Sequence, residues 1–401
     1  MKIEFKQNKL LILLIALLLL ITLWPKIQLY ADSWYMEYDL LKKVTEEIKT
    51  KFYKKKLNDK KLEYGAIKGM LDALDDPYTS FIEPDSYQEM KMKLNGHFDG
   101  IGIHIGMYKK RLTVIAPIPG MPAEKAGLMA LDTIMKIDRQ DTEKMSLMDA
   151  VHKIRGKKGS KVVLGVKRNN SPDILDIAIT RNTIDINAVE KTEVFKEKIG
   201  YVRLVSFENK NAVWEMRKAL KSLMKKNIET LILDLRFNGG GLVSNAIGIA
   251  RLFLTDNDIM HTIDRNGLVY TEHVYGDAYY TGPLIVLINE ASASSSEILA
   301  GALKDNKRAT IMGKKSFGKA TVQNIIEMGD GSAVKYTIAK YQTPSGVDIS
   351  ETGITVNIEI NIPTENIKQM YKDDYLYTYE TDYQLQKAIE LTEQKLVNTT
   401  H

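Results

Sequence analysis

Apolar strands alternate with helices in the central part of the chain, and this order constrains the fold more than any other feature. Three segments, 199–207, 230–235 and 284–288, have the length and apolar content of buried strands. The patterns 212–226 and 243–253 between them have helical spacing. Strands that alternate with helices form a mainly parallel sheet covered by helices. We therefore predict an α/β core whose functional loops follow the carboxyl ends of its strands.

Two further regions precede this core. Residues 33–95 are charged and have apolar residues at helical spacing, with turns around Pro77 and Pro84. Residues 97–181 form short strands and short helices, enough for a complete small domain. The strands predicted in it include 112–116, 132–137, 161–167 and 174–180, and the helices are 122–126 and 146–154. A last helix is predicted over 383–396.

The N-terminus has the pattern of an export signal. Fifteen apolar or near-apolar residues, 10–24, follow Lys2, Lys6 and Lys9. Because a membrane span needs at least about 17 residues, a cleaved signal and a short uncleaved anchor both fit. Residues Leu29, Tyr30 and Ala31 form a poor small-x-small cleavage site, which favours the anchor. Lysines on the N-terminal side predict that the rest of the chain lies outside the cytoplasm.

Composition excludes several classes of function. The chain has no cysteine, which excludes disulfides, thiol catalysis and cysteine-ligated metal centres. Six scattered histidines without an H-E-x-x-H motif leave little room for zinc, so we expect no metal and no cofactor. The net charge is +5, and the lysines alternate with acidic residues. This pattern is typical of a solvated surface and predicts no nucleic-acid partner.

Two turns at predicted strand ends carry candidate chemistry. Residues 238–241 read NGGG, and glycine N–H groups there can face a phosphate or a developing oxyanion. A tight strand-to-helix turn explains these glycines equally well. Four serines within 292–296 precede a helix, which is more than an N-terminal cap needs, and Ser296 alone could provide the cap. One of the serines is therefore a candidate nucleophile.

A serine nucleophile needs a base, and no histidine lies nearby in the sequence. A lysine can serve if burial lowers its pKa, because desolvation disfavours the charged ammonium. Lys319 is the candidate, and Gln323, four residues later, could orient it. A single lysine is more commonly a solvated surface residue. The segment 313–319 also matches most of a P-loop, but Ala320 replaces the Ser or Thr that binds magnesium.

In these residues the chain resembles the C-terminal processing peptidases, exported Ser–Lys endopeptidases with an embedded PDZ domain. The resemblance runs from about Tyr64 to about Ile360. The family's blocks occur in order as LDDPYT (74–79), FDGIG (98–102), AEKAGL (123–128), IRG (154–156), DLRFNGGGL (234–242), SASSSEI (292–298) and FGK (317–319).

The resemblance implies an α/β fold with a PDZ-like β-rich domain inserted before a ClpP/crotonase-like protease core. The implied divisions are a signal or membrane anchor (1–31), a helical N-terminal region (32–95), a PDZ domain (96–182), the catalytic core (183–363) and a C-terminal helical segment (364–401). A homodimer is left open.

The family's site residues transfer to this chain by position. The implied nucleophile is Ser294, the base is Lys319, 25 residues later, and Gln323 supports the base. The implied oxyanion hole consists of backbone N–H groups of Gly240, Gly241 and Ser295. Asp305 matches an acidic position that is interpreted as structural.

The PDZ resemblance implies the substrate class. Gly100, Ile101, Gly102 and Ile103 match the loop that binds a C-terminal carboxylate, so proteins with apolar C-terminal tails are the expected substrates. Arg155 matches an arginine that couples the PDZ domain to the catalytic centre, although an exposed surface arginine is equally compatible.

Two alternatives remain at this point. The chain could be an inactive PDZ scaffold on a protease-like fold, which the intact Ser–Lys pair disfavours, or a P-loop protein, which the missing magnesium ligand disfavours. Ser295 and Ala320 stand where many family members have alanine and glycine, and residues 353–357 lack the usual Pro-Asp.

Overall fold

The computed structural model describes residues 38–54, 56–108, 110–168, 173–366 and 378–399. The chain divides into two compact units, one ending at Met70 and one beginning at Leu71. The expected signal or anchor at 1–31 lies outside the described residues. Within the described ranges, no helix is both long and apolar enough to cross a membrane.

We number nine helices of the described residues in chain order. Their bounds are α1 (38–51), α2 (Asp59–Asp72), α3 (Pro84–Asn95), α4 (Pro122–Lys125), α5 (Leu147–Ile154), α6 (Ala212–Met224), α7 (Val243–Ala250), α8 (Ser295–Asp305) and α9 (Tyr383–Thr399). The predicted helices 122–126, 146–154 and 383–396 are thus confirmed within a few residues.

The strands form four sheets. Their bounds are β1 (Ser80–Ile82), β2 (His97–Gly100), β3 (Ile103–Tyr108), β4 (Arg111–Pro117), β5 (Thr133–Ile137), β6 (Gln140–Asp141), β7 (Lys161–Lys167), β8 (Ile174–Thr180), β9 (Asn182–Asp185), β10 (Val189–Phe195), β11 (Ile199–Leu204), β12 (Thr230–Asp234), β13 (Asp258–Asp264), β14 (Val269–His273), β15 (Leu284–Ile288), β16 (Thr310–Gly313), β17 (Thr321–Glu327), β18 (Ala333–Gln342) and β19 (Ile358–Glu359).

The core sheet confirms the predicted α/β architecture. Its strand order is β10-β11-β12-β15-β16-β19, and every neighbouring pair except β10–β11 is parallel. Both faces are apolar: Leu231 and Leu233 of β12 pack in the cluster that includes α6, α7 and α8, whereas Ile232 packs in the cluster that includes α9. Strands buried on both faces read as continuous apolar runs, which is why the sequence predicted them well.

The small β-rich domain has its own core and its own sheet. The sheet has the order β3-β4-β5-β7-β8 with β6 beside β5, and its pairs are antiparallel. Strands β7 and β8 have the predicted bounds. Helix α5 begins after Ser146, whose hydroxyl accepts the Asp149 N–H at 3.1 Å. The ribbon of β2 and β9 joins the segments that enter and leave this domain.

A second antiparallel sheet beside the core was not predicted. Its order is β1-β18-β13-β14, and β17 pairs with β18 on the opposite edge from β1. Most side chains of β17 and β18 are only partly buried, so their sequences lack the apolar run of a core strand. Because Ser80 pairs with Lys335, the sheet also needs a contact across most of the sequence, which no local pattern reveals.

Candidate active site

One cavity of about 620 Å³ brings together most of the predicted catalytic residues. Ser294, Lys319, Gln323, Gly240 and Gly241 all line it. Its wall includes apolar side chains from four parts of the second unit: Leu94, Val205, Leu242, Val322 and Ile325. The cavity lies at the carboxyl ends of β12 and β15, where the α/β pattern predicted functional loops.

Ser294 has a strained backbone at the point where β15 passes into α8. Its φ of 55° and ψ of −115° are rare for a residue with a side chain and cost about 1–3 kcal/mol. Ser294 is the residue that precedes the first turn of α8, so Ser296 is not the cap of the helix. Strained residues that the surrounding structure holds in place cluster at active sites, which makes Ser294 the serine of functional interest.

The other three serines of the run have structural partners. Ser292 Oγ donates to the Leu235 carbonyl at 2.8 Å, and Ser296 Oγ donates to the Asn238 carbonyl at 2.8 Å. Ser295 Oγ donates to the Gly241 carbonyl at 3.0 Å. These bonds tie the serine turn to the end of β12 and to the glycine turn. They explain why the serines outnumber what a helix cap needs.

The glycine turn approaches Ser294 too closely for any larger residue. A Cβ on Gly240 would lie 2.8 Å from the Ala293 carbonyl oxygen and 2.9 Å from Ser294 Cβ, and its φ is 100°. A Cβ on Gly241 would lie 2.3 Å from the Glu208 nitrogen. Glycine is therefore required at both positions by space and by conformation.

The backbone donors near Ser294 differ in availability. The Gly240 N–H donates to Asn238 Oδ1 at 3.0 Å, which occupies it within the turn. Among the hydrogen bonds of the described residues, the N–H groups of Gly241 and Ser295 donate none. Ser295 is the first residue of α8, where N–H groups have no partner within the helix and favour negative charge. The implied oxyanion hole therefore has its two free donors at Gly241 and Ser295.

Lys319 lies in a partly buried, mixed electrostatic environment. Burial lowers its pKa from the usual range, and repulsion from the Lys335 ammonium lowers the pKa further. The carboxylates of Asp76 and Glu297 oppose this shift. Its Nζ lies 4.6 Å from the centre of the Tyr78 ring. A lowered pKa makes the neutral form of a lysine easier to reach, which is what a general base requires.

The buried Glu297 carboxylate joins the backbones of Ser294 and Lys319. Its Oε2 accepts the Ser294 N–H at 2.8 Å and the Lys319 N–H at 2.9 Å. Its Oε1 accepts the Gly318 N–H and the Ser316 hydroxyl, each at 2.6 Å. Because one side chain receives all four donors, the relative position of the two segments is fixed.

Tyr341 makes a second bridge between the same segments. Its hydroxyl donates to the Lys319 carbonyl at 2.7 Å and lies 3.2 Å from the Ser294 carbonyl. Burial raises the pKa of this phenol well above its usual value, so Tyr341 remains a donor. Glu297 accepts backbone N–H groups of the predicted nucleophile and base, whereas the Tyr341 hydroxyl faces their backbone carbonyls. The two side chains together hold the two backbones in place.

The side chains of the predicted triad are not hydrogen-bonded to one another in the described part of the chain. In the described part of the chain, no hydrogen bond joins Lys319 Nζ to Ser294 Oγ or to Gln323. The Gln323 amide instead donates to Thr321 Oγ1 at 2.8 Å and lies 3.3 Å from Thr337 Oγ1. The three groups line one cavity, and the lysine Nζ lies over the Tyr78 ring.

The predicted tail-binding loop lies in the β-rich domain. Ile101 is buried, and its carbonyl accepts the Ala123 N–H. Gly102 has a φ of 75°, and a Cβ there would lie 2.4 Å from Met121 Cβ. The N–H groups of Ile101 and Gly102 donate no hydrogen bond within the described residues. The next strand, β3, forms one edge of its sheet, so it can accept an added strand.

Arg155 connects the β-rich domain to α3. Its Nη1 lies 3.2 Å from Glu89 Oε1, and its guanidinium lies over the Phe98 ring at 5.0 Å. Two other residues of α3, Met90 and Leu94, line the cavity that contains Ser294 and Lys319. Arg155 therefore contacts the helix that forms part of the cavity wall.

The remaining candidates have structural surroundings. Asp305 Oδ2 accepts the N–H and the hydroxyl of Ser345. Strand β17 follows Lys319, where a P-loop requires a helix. No group of three or more metal-ligating side chains that could hold an ion occurs among the described residues.

Comparisons with known proteins identify the family of this chain. The family model of peptidase family S41 matches residues 198–360, the PDZ domain matches 88–167, and the activating protease CtpB N-terminal domain matches 29–86. A carboxyl-terminal-processing protease of Picosynechococcus sp. is 40% identical over 351 residues, which cover 86% of this chain and 83% of that protein. The chain belongs to the carboxyl-terminal-processing proteases of family S41.

Further relatives support this assignment. The carboxy-terminal processing protease CtpA of Bacillus subtilis is 36% identical over 334 residues, 83% of this chain and 71% of that protein. A solved Bacteroides fragilis structure described as an S41 protease covers 82% of this chain and 90% of its own, with a TM-score of 0.51 and 15% identity, which supports the fold alone. This S41 protease is thus a peptidase with an α/β core and a PDZ domain, as the resemblance implied.

Sequence reasoning assigned no role to several residues of this S41 site. The contact of Glu297 with Ser294 could have been predicted from the sequence, because the two residues form the S-x-x-E pattern of a capping box. Tyr78, Lys335 and Tyr341 come from distant parts of the chain, and no local pattern brings them to Lys319.

Proposed function

We propose that this S41 protease is an exported serine endopeptidase in which Ser294 and Lys319 form a catalytic dyad. The observation that carries the proposal is the shared Glu297 oxygen, which accepts the backbone N–H of both residues beside one cavity. The lowered pKa of Lys319 supports its role as base. The strain at Ser294 supports its role as nucleophile.

The proposed reaction is acyl transfer. Neutral Lys319 accepts the hydroxyl proton of Ser294, and the oxygen attacks the scissile carbonyl. The free N–H groups of Gly241 and Ser295 stabilise the tetrahedral oxyanion, while the Gly240 N–H holds the turn through Asn238. Lys319 then donates the proton to the leaving amine, and water releases the acyl group from Ser294. For this reaction Lys319 Nζ moves from its position over the Tyr78 ring towards the Ser294 hydroxyl, and Gln323 orients the lysine side chain.

The proposed substrates are proteins with apolar C-terminal tails. A tail would add a strand to the free edge of β3, and its carboxylate would bind the N–H groups of the loop from Gly100 to Ile103. When a tail occupies the β-rich domain, Arg155 would transmit the change to α3 through its ion pair with Glu89. The N-terminal segment would hold the catalytic region at the outer side of a membrane, or release it if the segment is cleaved.

A peptidase assay on the wild type, Ser294→Ala and Lys319→Ala tests the dyad. We expect both variants to lose activity by several orders of magnitude, because members of a catalytic unit fail together. Ser222 and Lys225 are exposed residues of the α6 region that do not line the cavity. They have the same S-x-x-K sequence pattern as Ser316 and Lys319, so Ser222→Ala and Lys225→Ala are matched controls. Equal activity in all five proteins would exclude Ser294 and Lys319 as the catalytic dyad, whereas no activity in any of them would favour the alternative, an inactive PDZ scaffold.

Tail recognition needs a separate measurement. Binding is measured with Ser294→Ala, because this variant removes turnover while leaving the β-rich domain unchanged. It should bind a peptide with an apolar C-terminus and a free carboxylate, and it should bind the same peptide with an amidated C-terminus much more weakly. Equal binding of the two peptides would exclude recognition through the carboxylate.

A further inference from the structure

Lys335 is a second lysine of the catalytic cavity, and neither the dyad nor the tail-binding loop accounts for it. It lies in β18, between its cross-strand neighbours Ile325 and Ser80. Thr337, two residues later on the same face of the strand, contacts the Gln323 amide. Lys335 therefore belongs to the strand face that holds Gln323, and it lines the cavity together with Lys319.

The ammonium of Lys335 has no acidic partner among the residues that the structure describes. Glu327, the last residue of the neighbouring strand β17, already pairs with Lys91 at 3.0 Å. Lys335 is also only partly exposed, which limits the screening of its charge by water. An unpaired cation beside a second lysine is costly unless one of the two gives up its proton.

The charged and polar groups around Lys319 act on its pKa in opposite directions. From the turn after α2, Asp76 is tied to the Tyr78 N–H at 3.0 Å and to the Thr79 hydroxyl at 2.6 Å. From α8, Glu297 uses both oxygens on four other donors. The Tyr78 ring and the Tyr341 phenol add no formal charge. The hydrogen bonds of both carboxylates go to other groups, although their charges still raise the pKa of Lys319. Lys335 is the cation that opposes them and lowers the pKa of Lys319.

We propose that Lys335 is a positioning residue for the base: its ammonium disfavours protonation of Lys319 and so keeps more of Lys319 in the neutral form that accepts the Ser294 proton. This inference rests on the proposed Ser–Lys function. Lys335 touches no reacting atom in this role. It acts only through the protonation state of Lys319.

The first test is the pH dependence of kcat/KM on an uncharged peptide, measured with the full-length chain. Lys335→Met should move the acidic limb to higher pH, with about a threefold to tenfold loss near pH 7 and recovery at higher pH. Lys335→Arg should keep the wild-type profile, because it keeps the charge. Lys340→Met, an exposed lysine of the same strand, is the control.

Two results would overturn the inference. One is a Lys335→Met profile that coincides with the wild type. The other is a loss that is equal at every pH and arises from KM, which would make Lys335 a contact for the substrate. A rise in KM confined to peptides with an acidic side chain would point to the same contact.

The second test does not depend on turnover. Lysine labelled with ¹³C reports the titration of Lys319 directly by NMR in Ser294→Ala, and the signal is assigned by its loss in Lys319→Arg. Lys335→Met should raise the midpoint of this titration, whereas Lys340→Met should leave it in place. An unchanged midpoint would refute the role of Lys335, whereas a wild type that cleaves no peptide would refute the proposed function instead.

Discussion

Arg236 and Asp382 form a buried bidentate ion pair between residues 146 positions apart. Arg236 Nη1 lies 2.9 Å from Asp382 Oδ1, and Nη2 lies 2.6 Å from Oδ2. Asp234 holds the other side of the guanidinium and accepts the Tyr201 hydroxyl at 2.9 Å. Arg236 lies two residues before Asn238, where the glycine turn begins, and Asp382 directly precedes α9. The C-terminal helix is therefore anchored to the turn that approaches Ser294.

The first prediction concerns this buried cluster. Arg236→Met leaves the carboxylates of Asp234 and Asp382 together without their cation, so we expect a loss of about 3–5 kcal/mol in the free energy of unfolding. Asp382→Asn keeps the pair of Arg236 with Asp234 and should cost less. Urea denaturation measures both.

A matched control is available on α9. Glu393 forms an exposed pair with Lys196 at 3.8 Å, and Glu393→Gln should change stability by less than about 1 kcal/mol. If Arg236→Met were no more destabilising than Glu393→Gln, the cluster would not anchor α9.

The second prediction concerns Glu297. Glu297→Gln replaces a carboxylate that accepts four hydrogen bonds with an amide whose NH₂ would face N–H donors. The segments of Ser294 and Lys319 should then shift relative to each other. We expect kcat to fall about a hundredfold, with a smaller change in KM, because small misplacements of reacting groups are costly.

Peptidase kinetics and the melting temperature together check this expectation. Glu290→Gln is the control, since Glu290 is exposed and precedes the same helix. Wild-type kcat in Glu297→Gln would show that the shared carboxylate does not position the dyad.

The third prediction compares two neighbouring glycines. An alanine at Gly240 would bring Cβ within 2.9 Å of Ser294 Cβ at a φ of 100°, so either the turn or Ser294 must move. Gly240→Ala should therefore lose most of its peptidase activity. Gly239→Ala should remain active, because a Cβ at Gly239 meets no heavy atom within 4 Å. Assays of the two purified variants decide the point, and equal loss in both would mean that the turn tolerates no change at all.

The accuracy of the sequence predictions follows the range of the interactions involved. Strand β15 and helix α5 were predicted because burial on two faces and a serine cap leave local patterns. Ser294 and Lys319 were identified through the order of sequence blocks and not from composition, since a serine at a helix end and a single lysine are each common.

The rest depends on contacts between distant segments. Tyr78, Lys335 and Tyr341 reach Lys319 only because β1 and β17 pair with the two edges of β18. A polar, partly buried strand such as β17 carries no apolar period that predicts its neighbours. Asp382 likewise looks like an ordinary acidic residue before a helix until the fold brings Arg236 to it.

The last prediction concerns the cost of a buried base. The pKa of Lys319 is lower in the folded protein than in the unfolded chain, mainly because of burial and then because of Lys335. The unfolded state therefore binds more protons between the folded pKa and the usual lysine value of about 10.4. Stability should rise with pH through that window. Lys319→Met removes the buried charge, so we expect an inactive protein that is more stable than the wild type at pH 7.

The pH dependence separates this explanation from a simple gain in packing. The advantage of Lys319→Met should shrink as the pH rises through the window, because wild-type Lys319 then becomes neutral in both states. Guanidinium denaturation at several pH values between 7 and 10 measures it. Lys340→Met, on the exposed side of β18, should follow the wild type throughout. A Lys319→Met protein that is less stable at pH 7 would mean that the contact of the ammonium with the Tyr78 ring outweighs the cost of burial.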